Sequence, residues 1–139
     1  MADRFEVTMS GDDIKKISSL GLAHVGDAVY ELLVRTSMLE SGLAKSSDLH
    51  RLTVSYVSAP AQAKAADTIM PHLTEEEVGV FKRGRNTHVH AVPKNATPGQ
   101  YGKATGLEAL FGWLWLKGRK DRISQLFDII MSEEGEHAL

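Results

Sequence analysis

The stretch Gly21-Leu22-Ala23-His24-Val25-Gly26-Asp27-Ala28-Val29-Tyr30-Glu31-Leu32-Leu33 reads as an apolar helix with a glycine and an aspartate side by side at its centre. In a helix interior Gly costs roughly 0.8–1 kcal/mol relative to Ala, and Asp is unfavourable there too. Its apolar neighbours predict that Asp27 is partly enclosed, and a carboxylate withdrawn from water must be paired, hydrogen-bonded or bound to a metal. Leu20, Val25, Ala28, Val29, Leu32, Leu33 and Val34 form a stripe too broad for a helix lying alone on a surface. Ala104-Thr105-Gly106-Leu107-Glu108-Ala109-Leu110-Phe111-Gly112 repeats the pattern, with Glu108 inside a second apolar helix. Two carboxylates in two such helices suit a hard divalent cation such as Mg²⁺, which takes one or two protein carboxylates and keeps several waters. Gly26 and Gly106 leave room for another backbone or a substrate. The alternative is structural, with each acid paired to an Arg or Lys of a neighbouring helix.

The rest of the chain is organised by helix signals. A lead-in over residues 1–16, extended from Val7 to Asp13, precedes a helix from Ile17 or Ser18 to Glu40, with Gly42 as its C-terminal stop. Ser46-Ser47-Asp48 caps a helix from Leu49 to Ser58. Pro60 suits the first turn of a helix from Ala61 to Met70, which Pro71 closes. Thr74-Glu75-Glu76-Glu77 is a capping box, Thr at N-cap and Glu at N3, opening a helix to Arg83 or Arg85. Residues 86–100 lack helical periodicity, and a loop of that length in a compact domain is functional or disordered as a rule. A helix from Tyr101 to Lys117 places Leu107, Leu110, Phe111 and Leu114 on one face, and Gly118 breaks it. A last helix runs from Asp121 to Met131, and residues 132–139 are expected to fray. No strand periodicity or internal repeat is present, so the expectation is a single all-α domain over residues 1–139.

The 139 residues can bury a real core. The absence of cysteine excludes disulfides, cysteine-ligated metals and thiol nucleophiles. The N-terminus has no signal-peptide core, and no apolar run approaches the ~20 residues needed to span a bilayer, so a cytoplasmic protein without membrane contact is expected. The net charge of −2 does not suggest nucleic acid, but its distribution does. From Val78 to Leu107 there are five cations (Lys82, Arg83, Arg85, Lys94, Lys103) and no acid. Arg suits bidentate phosphate recognition, and Gly84 between the cations allows an unusual turn; the plainer reading is a solvated basic helix end that favours the macrodipole. His88-Val89-His90 has no third ligand at a metal-site spacing. Trp113 and Trp115 fall on opposite sides of their helix, so one of them is a candidate for the surface of a partner subunit.

These motifs carry a family resemblance. Leu22-Ala23-His24-Val25-Gly26-Asp27-Ala28-Val29 resembles the signature helix of ribonuclease III, L-E-F-L-G-D-(A/S)-V, and Leu107-Glu108-Ala109-Leu110-Phe111-Gly112 resembles its second acidic motif. The length and three further strings narrow the likeness to the bacterial Mini-ribonuclease III subfamily, which lacks a double-stranded-RNA-binding domain. They are Asp48-Leu49-His50, Val57-Ser58-Ala59 with Gln62-Ala63, and Lys82-Arg83-Gly84-Arg85-Asn86 followed by Pro93-Lys94-Asn95. The resemblance implies a ribonuclease III-type endonuclease domain forming a helical homodimer through the signature helices. It implies cleavage of double-stranded RNA with Mg²⁺, or Mn²⁺ in its place, in the maturation of large-subunit ribosomal RNA. Residue by residue, it makes Asp27 and Glu108 the catalytic, metal-holding acids. It places Lys82, Arg83, Arg85, Asn86, Lys94, Asn95, His50 and Gln62 on the RNA. Two family acids are missing, since their positions fall on Ala23 and Thr105. That keeps open a second reading, a catalytically weak or inactive RNA-binding or assembly module of the same fold. A third reading, an all-α nucleotide pyrophosphohydrolase, calls for E-x-x-E pairs facing one pocket, and Glu31 and Glu108 supply none.

Overall fold

Five hydroxyl caps start the helices of this chain. Ser10, Ser18, Ser58, Thr74 and Thr97 each accept the backbone N–H three residues on, from Asp13, Gly21, Ala61, Glu77 and Gln100. The structure is a computed structural model that describes residues 3–42, 46–87 and 95–137. Among these, every regular element is helical: α1 (Gly11–Lys15), α2 (Ser19–Glu40), α3 (Ser46–Val57), α4 (Ala59–Ile69), a 3₁₀ turn (Met70–His72), α5 (Glu75–Arg85), α6 (Pro98–Leu116) and α7 (Lys120–His137). The all-α expectation holds.

Several boundaries differ from the sequence reading: α3 begins at Ser46, so Ser46-Ser47-Asp48 is its first turn and not a cap ahead of Leu49, and α4 begins at Ala59, not Ala61, with Ser58 as its cap. The lead-in contains α1, capped by Ser10. α6 starts at Pro98, because Thr97 and Gln100 form a second capping box and a proline in the first turn lacks only an N–H that would have no partner there anyway. α7 runs from Lys120 to His137, past the Met131 end read from the sequence. Ile129, Ile130 and Met131 pin its preceding turn to the core, and the Ser132 hydroxyl donates to the Asp128 carbonyl at 2.8 Å. Gly42 and Gly118 end α2 and α6 with φ of 90° and 76°, left-handed geometry that a side chain would strain.

α6 is the axis of the fold. α2, α4, α5 and α7 all pack on it. Leu107, Leu110, Phe111 and Leu114 face the main core, and the other sides are buried as well, at Ala104, Thr105, Gly106, Ala109 and Gly112. A helix apolar on all sides belongs in an interior. In the core the Tyr30 ring meets Phe111 edge-on at 5.3 Å and Phe127 at 5.9 Å. A smaller cluster of Ile14, Leu22, Ala23, Val80 and Ala109 ties α1 and the start of α2 to α5 and α6.

The small residues on α6 set how near its neighbours come. A Cβ on Gly26 would overlap the Glu108 carbonyl oxygen and lie 2.6 Å from its carbon and 2.7 Å from the Gly112 nitrogen. A Cβ on Gly112 would likewise strike the Leu22 carbonyl. On the other side, Gly106 meets Phe81, and Gly84 meets Ala109, Gly106 and Thr105. Gly84 is therefore an ordinary helical residue of α5 that permits close packing, not the site of an unusual turn. α5 is also tied to α7: Arg122 grips the almost fully buried Glu77 with two 2.8 Å hydrogen bonds and donates to the His72 carbonyl, also at 2.8 Å.

Gly26→Ala is expected to cost about 3 kcal/mol or more, since neither backbone at the crossing can yield cheaply. Gly79→Ala, which meets only the flexible end of Arg83 at 3.4 Å, is expected to be neutral or to stabilise by up to about 1 kcal/mol. Urea unfolding of the two variants checks the contrast.

Candidate metal centre

The glycine notch aligns the two acids. Gly26 touches the backbone of Glu108, and Asp27 is the next residue along α2, so both carboxyl groups emerge at the same crossing and their side chains hydrogen-bond. Their environments are unequal. Glu108 is largely enclosed, whereas Asp27 is exposed on the surface of the single chain. This corrects the expectation of an enclosed Asp27: the apolar pattern of α2 buries its neighbour Gly26 against α6 and leaves Asp27 at the rim. The Glu108 carboxyl is pushed up to about 8, first by burial and then by the hydrogen bond and negative charge of Asp27, while a hydrogen bond from Gln62 acts in the opposite direction. No Arg or Lys is among the groups that shift it, so the structural alternative of an ion-paired Glu108 finds no support.

Two carboxylate oxygen donors meeting across a helix crossing, with one side open, fit a hard divalent cation that keeps several of its own waters. Among the described residues, no group of three or more His, Cys, Asp or Glu gathers at any point. Ala23 is buried in the smaller core cluster, and Thr105 is buried with its hydroxyl donating to the Tyr101 carbonyl at 3.0 Å. Neither position offers a donor to a cation.

The residues assigned to RNA are dispersed. Lys82 and Arg83 are exposed on α5 and Asn86 caps its end. Arg83 lines a cleft of about 610 Å³ with Lys15, Lys117, Trp113 and Glu76, and Lys117 sits 4.5 Å over the Trp113 ring. Arg85 instead lies over Phe81 at 6.0 Å and donates to the Asn86 side chain at 3.2 Å. Two positions apart on a helix, Arg83 and Arg85 face different neighbours. His50 is exposed and lines a groove between α2 and α3 with Arg35, Met38, Leu39 and Thr53. Asn95 is exposed, and Lys94 lies outside the described residues, as do His88 and His90. Gln62 is 2% exposed and hydrogen-bonds to Glu108, so it stands beside the acids and not on the outer surface. Lys103, within the segment that lacks acids in sequence, is paired at 2.8 Å with Asp67 of α4. The sequence signals missed the roles of Gln62 and Asp67; the one hint was a lone amide among the alanines of α4.

The Ribonuclease III domain family model matches residues 20–119. The chain is 48% identical over 107 residues to a Mini-ribonuclease 3 of Symbiobacterium thermophilum, covering 77% of this chain and 82% of that one. It is 41% identical over 126 residues to a Mini-ribonuclease 3 of Enterococcus faecalis, covering 89% and 96%. A crystal structure of a Fusobacterium nucleatum protein superposes with a TM-score of 0.80 at 31% identity, covering 88% of this chain and 98% of the other.

The Glu108 shift fixes a pH dependence. In metal-free protein the folded state holds a proton that the unfolded chain releases above about 4.5, so stability falls as pH rises from there to about 8 and then levels. Thermal melts in chelator should show that decline, and Glu108→Gln should flatten it and raise the melting temperature at pH 8.

Proposed function

This chain belongs to the ribonuclease III domain family, and on that premise we propose that it is an endoribonuclease that cuts double-stranded RNA with Mg²⁺ as a homodimer. The observation that carries the proposal is the meeting of Asp27 and Glu108 at the α2–α6 crossing, where the family's two retained acids share one hydrogen bond. Mn²⁺ has the same ligand preference and is the natural substitute. The substrate we assign is a precursor of large-subunit ribosomal RNA, the role that the subfamily resemblance implies.

A divalent cation held by Asp27 and Glu108 would supply Lewis-acid stabilisation of the phosphoryl charge and activate the attacking water. The residues of the chain prepare for that. The ionised form of Glu108, whose carboxyl is otherwise pushed up to about 8 by burial and Asp27, would be favoured by a cation held there, so binding would strengthen with pH up to that value. Asp27, at the open rim, lies where a bulky duplex can reach it. A-form RNA is read through its phosphates and 2′-hydroxyls. Lys82, Arg85, Asn86, Lys94 and Asn95, around the segment between α5 and α6, supply the contacts that fix its position; Arg83 and His50 extend them along the duplex.

The dimer reading is supported by an apolar face left open on α2. Val25, Ala28, Val29, Leu32 and Leu33, with Phe5 and Trp115, line a cavity of about 330 Å³, and Leu32 is 55% exposed. Trp115 is thus the tryptophan nearest the proposed partner, while Trp113 packs on both core clusters. The non-catalytic reading is favoured by one observation, the buried and acid-free positions Ala23 and Thr105.

Incubating an RNA duplex with the protein, with and without Mg²⁺, decides between them: binding without products in either condition overturns the nuclease. Asp27→Asn is expected to cut more than about 100-fold more slowly with an unchanged melt, and cleavage at the wild-type rate would remove Asp27 from the mechanism. Leu32→Glu is expected to yield monomers by light scattering, with cleavage lost in parallel.

A further inference from the structure

Gln62 is among the most buried polar side chains described, at 2% exposure, and it sits on α4. Its neighbours along that helix, Ala63, Ala65 and Ala66, are buried too, and their small side chains bring α4 close to α6. Its side chain hydrogen-bonds to Glu108, on the helix that already presents that acid to Asp27. We infer that Gln62 is a positioning residue of the metal centre: its amide N–H holds the Glu108 carboxyl in the orientation that faces Asp27. The inference rests on the metal-site reading of the two acids.

The choice of an amide has a physical logic. A Lys or Arg at this position would also hold Glu108, but it would neutralise the carboxylate and compete with the cation. A Glu or Asp would add a third negative charge to a site where Asp27 already opposes ionisation of Glu108. Asn is one methylene shorter and loses the reach. Gln supplies a donor, no charge and the needed length, so it fixes the direction of the carboxylate while leaving its charge for the metal. A neutral outer partner that orients a ligating acid is a recurrent feature of metal sites, and losing one typically costs 10–100-fold in metal affinity or activity. Burial excludes Gln62 from direct contact with RNA in this structure, which separates positioning from substrate binding.

The test uses the full chain and Mn²⁺ as the probe. Gln62→Met keeps the length and removes the donor. The expected result is a 10–100-fold weaker Mn²⁺ affinity by calorimetry, a smaller Mn²⁺-induced rise in melting temperature, and unchanged duplex binding in chelator. In cleavage, the Mg²⁺ concentration for half-maximal rate should rise by a similar factor, while saturating Mg²⁺ restores most of the rate. Wild-type Mn²⁺ affinity in a folded Gln62→Met overturns the inference, and so does a loss of duplex binding in chelator, which would make Gln62 an RNA contact. If Gln62→Met does not fold, Gln62→Leu also removes the donor with a compact apolar side chain; wild-type Mn²⁺ affinity there overturns the inference equally. If the wild-type chain itself binds no Mn²⁺, the metal-site reading falls and takes this inference with it. If the wild type binds and the variants match it, only the role of Gln62 falls.

Discussion

The structure depends on how closely α2 and α6 approach. Gly26 and Gly112 form a notch in which each helix rests on the backbone of the other, with no side chain between them. A contact of this kind leaves little freedom in the depth or angle of the crossing, since backbone cannot change rotamer. It also decides where the two acids go. Glu108 contributes its own backbone to the notch, and Asp27 follows Gly26, so the depth of the crossing determines how their carboxyl groups meet. The helix-breaking cost of glycine, spread over Gly26, Gly106 and Gly112, is offset by contact between elements.

The site so formed is held in a tense electrostatic state. Glu108 is withdrawn from water and faces a second carboxyl, and both effects raise its proton affinity. Among the described residues no cation relieves them, although the same fold shows how it satisfies a buried acid when structure alone is required: Glu77 is buried, but Arg122 grips it with two hydrogen bonds and holds its carboxyl below the usual range. The two glutamates differ in what they are left to bind. Glu77 is satisfied by its own chain, and Glu108 receives one neutral amide and an open side.

Much of the fold was legible in the sequence because helix ends carry local signals. The Thr74 box and the stops at Gly42 and Gly118 are written within a few neighbouring residues, whereas Ser46-Ser47-Asp48, read as a cap, lies inside α3. The start of α6 was hidden because Pro98 and Gly99 read as a loop, although Thr97 and Gln100 cap it. The central place of α6 was hidden for a related reason: only its large apolar residues register as core in a sequence, whereas its buried surface also includes Gly, Ala and Thr. Gly84 was hidden in the same way: between cations it reads as the site of an unusual turn, but it is a contact surface.

The sequence by itself determined that this chain is helical, that its acids at 27 and 108 lie in apolar helices, and that its signature motifs belong together. Periodicity, capping chemistry and motif spacing are properties of neighbouring residues, and those survive without a fold. Tertiary structure alone decided which groups act on one another. It paired Lys103 with Asp67, turned Arg83 and Arg85 to different neighbours, left Asp27 exposed while largely enclosing Glu108, and set Gln62 against that acid. Charge, burial and hydrogen bonding act through space over a few ångströms, and residues as far apart in sequence as Asp67 and Lys103, or Asp27 and Glu108, come within that range only when the helices have packed.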